Sequence, residues 1–393
     1  MLKILVVTDD LLGPFMAGSA LRGWELARAL AAAGHEVRLV AAEGSTPPSD
    51  APVELAPEPD WRWPEVVVAP PWSLRLPAFT GHHRLVIDGA TPLLAELAAM
   101  PRSAAVRRRR RRAAARLPLV AARADAVLAA GTAQRRWWQR VLERRPEVRV
   151  LEVPFGIPND DPPAESVNII GVPEDWSVVL WWGGVWPWLD LDTLLAARAR
   201  LGRIPVSVVV PTATRPGGSI APFSAADLNR MAARYALSAP DVVPLEHWAP
   251  YADRHLVLNR ASTMAFLHRA GLEAELSFRT RAMDALWSTT PMLLSAGGEV
   301  ARLAEERGWG LVVPPGEPAA VADAFVRLLE PDLQTQLRSV LASERDRWRW
   351  PRVATPLVEW LAAGEPPAHQ SLGPPLLGAA AAALGLTDPG PRG

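Results

Sequence analysis

Apolar runs and helical periodicity alternate along the chain in the order typical of α/β proteins. Residues 2–7 are continuously apolar and rich in β-branched side chains, which predicts a strand buried in a parallel sheet. A loop follows, and residues 20–33 then repeat apolar positions with helical spacing up to Gly34, a residue type that commonly ends helices. Residues 36–41 form the next predicted strand. This order of strand, loop, helix and strand is how a doubly wound α/β domain begins.

The same pattern starts again after a break in the middle of the chain. The break is the polar, proline-rich segment 158–166, which is predicted to link two domains. It is followed by a predicted strand at 178–182, the Gly183-Gly184 turn and a predicted helix at 191–200. We therefore predict an α/β protein with two Rossmann-like, doubly wound domains that face each other across a cleft.

The predicted domain boundaries follow from these changes of pattern. The first domain covers 1–158, including a proline-rich loop at 46–63, and the second covers 166–344. A late helical stretch at about 345–362 is predicted to cross back and pack on the first domain. The Ala-, Pro- and Gly-rich tail 364–393 is predicted to be disordered.

Composition narrows the functional class. The chain is 49% hydrophobic and 21% charged, as is ordinary for a soluble globular protein. Its 42 basic and 42 acidic residues give zero formal net charge, which argues against a protein built mainly to bind nucleic acid. The absence of cysteine excludes disulfides, thiolate catalysis and cysteine-based metal sites. Lys3 is the only lysine, and its place at the start of a buried strand argues against a pyridoxal-phosphate enzyme.

Cytoplasmic residence and the absence of a metal or other cofactor are expected. The first residues run into an apolar strand without the features of a signal peptide, and no stretch reaches the roughly 20 apolar residues of a membrane span. The Asp190-Leu-Asp192 sequence has the spacing of a metal-binding carboxylate pair. It lies at a predicted helix start, however, where acidic side chains simply complement the helix dipole.

Several motifs occur in a fixed order along the chain. They are Val7-Thr-Asp-Asp-Leu-Leu-Gly13 through Gly18, Arg22 and Trp24 to Gly34-His35; Pro154-Phe-Gly156-Ile-Pro158; Trp182-Gly183-Gly184 through Trp186, Trp188 and Asp190; and Ser277-Phe278-Arg279-Thr280-Arg281 followed by Asp284, Trp287, Pro291 and Gly308 to Gly316. Together they cover most of residues 1–361 and resemble the bacterial family 4 glycosyltransferases. The resemblance implies a GT-B fold and transfer of a sugar from a nucleoside diphosphate sugar to a hydroxyl acceptor, with retention of configuration.

The resemblance places the first part of the donor site at the turn that opens the second domain. Gly183-Gly184, between a strand and a helix, would let a phosphate approach backbone amides closely. Family members often carry an arginine and a lysine here, whereas this chain has no cation in the turn. Trp186 could stack on a base or sugar ring, or could anchor the core.

The second part of the implied donor site is the segment 277–281. The amides of Ser277, Phe278 and Arg279 are expected to bind the β-phosphate of the donor, and Arg279 or Arg281 could add the charge that suits a diphosphate. Asp284 is expected about two turns into the following helix. It stands where the family usually has a glutamate that holds the ribose hydroxyls.

Candidate catalytic residues come from both domains. The family often has a glutamate eight residues before the ribose-binding acid, but here that position is Leu276, with Glu273 and Glu275 nearby. We take Glu273 as the candidate. His268 precedes the donor loop, where the resemblance implies a polar contact with the sugar. Asp88 follows a strand and could orient the acceptor hydroxyl or act as a base, although aspartate in such a place is often only a turn residue.

The acceptor side of the implied cleft belongs to the first domain. Gly13, Gly18 and Arg22 follow the first strand and are expected to line it, with Gly18 allowing close approach of the sugar or acceptor to the backbone.

A run of six arginines lies within residues 93–119, which are predicted to be mostly helical. Its members are Arg107, Arg108, Arg109, Arg110, Arg111 and Arg112. One interpretation is a solvated helix face in an arginine-rich chain. Another is a contact with anionic lipid, worth about 1 kcal/mol per arginine, which would suit a lipid-linked acceptor. Contact with nucleic acid is disfavoured because no aromatic residues are interleaved with the run.

Two alternatives to the transferase remain open at the level of sequence. A nucleotide-sugar epimerase with the same fold would isomerise the donor and release no nucleoside diphosphate. A non-catalytic binding or scaffold protein would have kept the fold and lost the chemistry. An NAD-dependent dehydrogenase is disfavoured because residues 8–18 do not spell G-x-G-x-x-G.

Overall fold

The chain divides into two units. The computed structural model describes residues 1–48, 51–213, 223–364 and 368. One unit comprises residues 1–13, 17–154 and the chain from 353 onward, and the other comprises 14–16 and 155–352. Apart from residues 364 and 368, the predicted disordered tail lies outside the described residues.

The first unit contains a parallel sheet of seven strands in the order β3-β2-β1-β4-β5-β6-β7. The strands are β1 (Lys3–Val7), β2 (Glu36–Val40), β3 (Val53–Ala56), β4 (Val66–Ala69), β5 (Arg84–Asp88), β6 (Ala126–Ala129) and β7 (Arg149–Glu152). The helices that follow these strands are α1 (Gly18–Ala32), α2 (Leu76–Thr80), α3 (Leu93–Ala99), α4 (Ala104–Arg123) and α5 (Thr132–Val141). The central strands β4 and β6 are buried along their whole length because helices cover both faces of the sheet, which explains their continuous apolar sequence.

The second unit contains a parallel sheet of six strands in the order β10-β9-β8-β11-β12-β13. The strands are β8 (Ser177–Leu180), β9 (Val206–Pro211), β10 (Val242–Leu245), β11 (Thr263–Phe266), β12 (Met292–Ser295) and β13 (Gly310–Val313). The helices are α6 (Leu191–Arg200), α7 (Ala225–Ala233), α8 (Arg254–Leu258), α9 (Leu272–Leu276), α10 (Ala282–Trp287), α11 (Glu299–Arg307), α12 (Pro318–Leu328) and α13 (Pro331–Trp348). The prediction of two Rossmann-like domains is confirmed.

Two local predictions differ from the structure. The proline-rich stretch 46–63 contains the edge strand β3, which pairs in parallel with β2. The predicted helix at 93–119 is two helices, α3 and α4. Proline disfavours helical geometry in the residue before it, so α3 ends before Pro101. The hydroxyl of Ser103 then accepts a hydrogen bond from the Val106 amide and caps α4.

The predicted linker, 158–166, lies in the second unit and is held there by side chains. Asn259 donates to the carbonyls of Pro163 and Glu165 at 2.7 and 2.8 Å, and the indole of Trp287 donates to the carbonyl of Asp160 at 2.8 Å. At the C-terminal end, α13 is followed by the short helices α14 (Trp350–Val353) and α15 (Thr355–Ala362). Helix α15 belongs to the first unit, where it packs against β7.

Each sheet has one point at which the strand order reverses. It falls between β1 and β4 in the first unit and between β8 and β11 in the second. Ligands of open α/β sheets bind beyond the carboxyl ends of the strands at such a point, because the loops on either side diverge there. The residues that follow these four strands are therefore the first place to look for a site.

Candidate functional site

In the second unit, the loops after β8 and β11 are joined by backbone hydrogen bonds. The amide of Asp190 donates to the carbonyl of Leu267, and that of Arg269 to the carbonyl of Trp188, both at 2.9 Å. Leu189 and His268 form an isolated antiparallel bridge between the two loops. The structure thus brings the predicted glycine turn and the predicted His268 to the same edge of the sheet, at its reversal point.

Gly183 is required where it stands. Its φ of +94° lies in the region that favours glycine, and a Cβ there would collide with the guanidinium of Arg281. Nη1 of Arg281 donates to the carbonyls of Trp182 and Gly184, at 3.0 and 3.1 Å. The second predicted donor segment therefore contacts the first through Arg281.

His268 and Glu273 form a buried pair at this edge. The imidazole Nδ1 lies 3.1 Å from Glu273 Oε2, and the two residues are 6% and 4% exposed. Burial, reinforced by the charges of Arg279 and Arg281, holds the pKa of His268 well below its usual 6.5. A neutral imidazole facing a carboxylate must donate from Nδ1, so its Nε2 carries the lone pair. Of the two glutamates considered, Glu273 is the one buried beside His268, whereas Glu275 is exposed.

Arg279 is bound inside the protein. Nη1 donates to the carbonyl of Ser295 at 2.7 Å and Nη2 to that of Gly297 at 2.8 Å, and the residue is 4% exposed. Burial lowers its pKa to about 10, and the charge of Glu273 partly offsets that shift. The guanidinium thus fixes the carboxyl end of β12.

The buried imidazole predicts pH-dependent stability. Because the pKa of His268 is lower in the folded protein than in the unfolded chain, the unfolded state binds more protons below about pH 6.5. We therefore expect the free energy of unfolding to fall as the pH is lowered below about 6.5, with His268 contributing at most about 1.4 kcal/mol per pH unit. Above about pH 6.5, His268 should make no pH-dependent contribution. Urea unfolding of wild type and His268→Gln across about pH 5 to 8 tests this. Identical pH slopes in both proteins would contradict it.

Asp284 lies in the first turn of α10, not two turns into the helix as expected. The prediction that residues 277–279 precede this helix is confirmed. One carboxylate oxygen accepts from Arg254 Nε at 3.0 Å and the other from the Trp182 indole at 2.9 Å. Arg254 is buried, with its guanidinium carbon 3.8 and 3.9 Å from the ring centres of Tyr251 and Trp287. Arg254 could not be predicted from sequence, because its partner Asp284 is 30 residues away along the chain.

The backbone of 277–279 is only partly available to a ligand. The amide of Ser277 donates to the carbonyl of Glu273 at 2.7 Å. Within the described part of the chain, the amides of Phe278 and Arg279 have no acceptor. The ring of Phe278 is buried and stacks on Phe155 at 5.8 Å, so this side chain serves the core of the second unit.

The tryptophans after the glycine turn form a stacked pair. The rings of Trp186 and Trp188 lie 5.4 Å apart and nearly parallel, half-buried against the core of the second unit. Asp190 caps α6 by accepting from the Thr193 amide, and Asp192 accepts from the hydroxyl of Tyr235 at 2.9 Å. These two acids therefore have structural partners. In the described ranges, no three His, Asp or Glu side chains gather as metal ligands would.

In the first unit, the structure joins the predicted Asp88 and Arg22. Nε of Arg22 lies 2.9 and 2.8 Å from the two carboxylate oxygens, and its other nitrogens donate to the carbonyls of Val153 and Pro154. Arg22 is 2% exposed and thus ties α1 to the carboxyl ends of β5 and β7. A cavity of about 20 Å3, room for about one water, lies beside the pair and is also lined by Thr8, Ser19 and Thr91.

The other residues predicted in the first unit lie on the surface of α4 and around the start of α1. Gly13 is buried in the loop after β1, and Gly18 is the first residue of α1. The six arginines of the run, 107–112, are all exposed on α4. None of the helices in the described ranges has the length and hydropathy needed to cross a membrane.

Comparisons with known proteins bear on the fold. No family model matches the chain, and no curated protein does. Sucrose-phosphate synthase from Thermosynechococcus elongatus is similar in structure, with a TM-score of 0.66 and 18% identity over 93% of this chain and 100% of that one. HepE from Anabaena, in complex with UDP-glucose, has a TM-score of 0.67 and 15% sequence identity, and the match covers 92% of this chain and 100% of that one. WaaG, a glycosyltransferase involved in lipopolysaccharide biosynthesis, has a TM-score of 0.62 and 15% sequence identity, and the match covers 90% of this chain and 99% of that one. These likenesses show the fold, and membership of family 4 stays a prediction.

Proposed function

We propose that the protein transfers a sugar from a nucleoside diphosphate sugar to a hydroxyl acceptor. The observation that carries the proposal is the edge of the second sheet, where the glycine turn, the 277–281 segment and the His268–Glu273 pair meet at the reversal point. Ligands of open α/β sheets bind at this place. The fold is shared with sucrose-phosphate synthase, HepE and WaaG, of which HepE is solved with UDP-glucose.

The donor residues take separate roles in this proposal. The amides of the Gly183-Gly184 turn and of Phe278 and Arg279 face the diphosphate. Asp284, oriented by Arg254 and Trp182, accepts hydrogen bonds from the ribose. Trp186 offers an aromatic surface to a ring of the donor. Phe278 and Arg279 act mainly by fixing the backbone, because the ring of Phe278 and the guanidinium of Arg279 are bound within the unit. Ser277 contributes to the same backbone through its amide, which donates to the carbonyl of Glu273.

The sugar and the acceptor are assigned to the remaining predicted residues. Neutral His268 and Glu273 present a lone pair and a carboxylate to hydroxyl groups of the transferred sugar. Asp88 orients the acceptor hydroxyl, and Gly13, Gly18 and Arg22 shape its surroundings. Since Arg22 holds Asp88 as an ion pair, orientation is a better role for this carboxylate than proton abstraction.

The chemistry needs little from the protein beyond placement and charge. The leaving nucleoside diphosphate gains negative charge as the glycosidic bond to it breaks, so fixed donors around it lower the barrier. We propose retention of configuration, without a metal or an added cofactor. An epimerase or a scaffold protein is the alternative, and no observation in the described residues favours either.

Nucleotide binding is the first test. Thermal shifts of purified protein are measured with UDP, GDP, TDP, ADP and CMP, with and without EDTA. A ligand at 100 times its Kd stabilises the folded state by about 2.7 kcal/mol, so one nucleoside diphosphate should raise the melting temperature, and EDTA should not matter. UDP is the first candidate because HepE is solved with it. A protein shifted by none of the nucleotides would contradict the proposal, and donor isomerisation without diphosphate release would favour the epimerase.

We further propose that the arginine run contacts anionic lipid, which would suit a lipid-linked acceptor. Six consecutive arginines leave a helix with positive charge on every side, and all six are exposed. Each contributes about 1 kcal/mol of attraction close to an anionic surface, and this attraction weakens with salt.

Vesicle sedimentation tests the lipid contact. We expect the protein to sediment with vesicles containing phosphatidylglycerol but not with pure phosphatidylcholine, and less at high salt. Glutamine at all six positions should abolish sedimentation while keeping the helix, because glutamine is a good helix former. Replacing Arg136 and Arg140, which are exposed on α5, with glutamine is the control and should change sedimentation with the vesicles little. Equal sedimentation of the wild type and the six-fold variant would contradict the proposal.

A further inference from the structure

The glycine turn of the second unit lacks a cation of its own. Residues 182–188 are Trp, Gly, Gly, Val, Trp, Pro and Trp. The guanidinium of Arg281 nevertheless lies against this turn, and a Cβ on Gly183 would collide with it. In the described part of the chain, the amides of Gly183 and Gly184 donate to no acceptor. A positive charge and two backbone donors therefore share one small region at the reversal point of the sheet.

The two arginines of the 277–281 segment have different surroundings. Arg279 is 4% exposed and donates to carbonyls at the end of β12, so a ligand could reach it only by disrupting the core. Arg281 is only half-buried, and it contacts the turn after β8. After burial, the charges of both arginines lower the pKa of His268. Of the two arginines, Arg281 is therefore the one whose guanidinium contacts the glycine turn.

From this geometry we infer that Arg281 is the cation of a diphosphate-binding site formed with the Gly183-Gly184 turn. The inference rests on the proposed function. It states that the positive charge balancing the phosphates comes from a residue at the start of α10 and not from the turn itself. A planar guanidinium offers several donors in one plane, and backbone amides beside it add donors without charge. Together they suit two linked phosphate groups better than one.

Calorimetric titration of purified protein with pyrophosphate, UDP and UMP tests the inference. If the nucleotide screen selects another base, its diphosphate and monophosphate replace UDP and UMP. Wild type, Arg281→Ala and Arg281→Gln are compared, because glutamine can still donate to the carbonyls of Trp182 and Gly184 without carrying charge. Arg327→Ala is the matched control. This exposed arginine lies in the last turn of α12.

We expect both Arg281 variants to bind pyrophosphate and UDP about 10- to 100-fold more weakly, the loss typical of one charged hydrogen-bonding partner. The ratio of the affinities for UDP and UMP should also fall in both variants. Arg327→Ala should bind all three ligands as tightly as the wild type does. Full affinity and preference in a folded Arg281→Gln variant would overturn the inference and leave the proposed function standing. Pyrophosphate binding that depends on Arg281, in a protein that binds no nucleotide, would support the inference and overturn the proposed function. A wild type that binds neither ligand would overturn both.

Discussion

Replacing Arg279 by methionine is expected to lower the free energy of unfolding of the second unit by about 3–5 kcal/mol, because its guanidinium makes two short buried hydrogen bonds and a hydrogen bond from a charged donor is worth about 1.5–3 kcal/mol. The buried Glu273 would also lose the influence of a nearby opposite charge. The carbonyls of Ser295 and Gly297 would also lose their donors at the end of β12. Urea unfolding followed by tryptophan fluorescence measures the change.

Two variants make the Arg279 prediction specific. Arg302→Met removes an exposed arginine of α11 that pairs with Glu299 and Glu306, and it should cost less than about 1 kcal/mol. The double variant Arg279→Met/Glu273→Gln removes both buried charges, so it should be less destabilised than the sum of the two single variants. An Arg279→Met protein with unchanged stability but lost nucleotide binding would instead make Arg279 a direct ligand contact.

Replacing Asp88 by alanine is expected to have a similar effect on the first unit, again about 3–5 kcal/mol. Arg22 is 2% exposed and would lose the carboxylate with which its Nε forms an ion pair at 2.8 Å. The same variant would widen the small polar cavity beside Thr8 and Ser19. Urea unfolding of the variant against the wild type gives the loss directly.

A surface ion pair of the same unit supplies the control for Asp88. Glu54 accepts from Arg38 at 2.9 Å but is largely exposed, so Glu54→Ala should cost less than about 1 kcal/mol. Asp88→Asn keeps an oxygen that can accept a hydrogen bond from Arg22, so it distinguishes a loss of stability from a loss of activity. If Asp88 orients the acceptor, this variant should remain close to wild type in stability and lose sugar transfer. Equal stability of Asp88→Ala and Glu54→Ala would show that the buried pair contributes little.

The two sheets were predictable because their central strands are buried on both faces and therefore read as continuous apolar runs, as in residues 2–7. Strand β3 was missed for the opposite reason. It is a short edge strand within a proline-rich stretch, and only its pairing with β2 makes it a strand. The break at Pro101 has a local cause that the sequence does contain, namely a proline followed by the capping Ser103.

The sequence by itself determined the α/β class, the restart of the pattern in a second unit and the segments that could hold a nucleotide, because periodicity and glycine turns are properties of neighbouring residues. Only the tertiary structure decided which side chains are partners. It paired Arg22 with Asp88, buried Arg279 against the carbonyls of Ser295 and Gly297, set Arg254 against Asp284 and placed Arg281 on the turn at Gly183. These partners are far apart along the chain and meet through the packing of parallel strands and helices. A sequence in which arginine supplies nearly all the basic charge therefore could not reveal which arginines serve structure and which face a ligand.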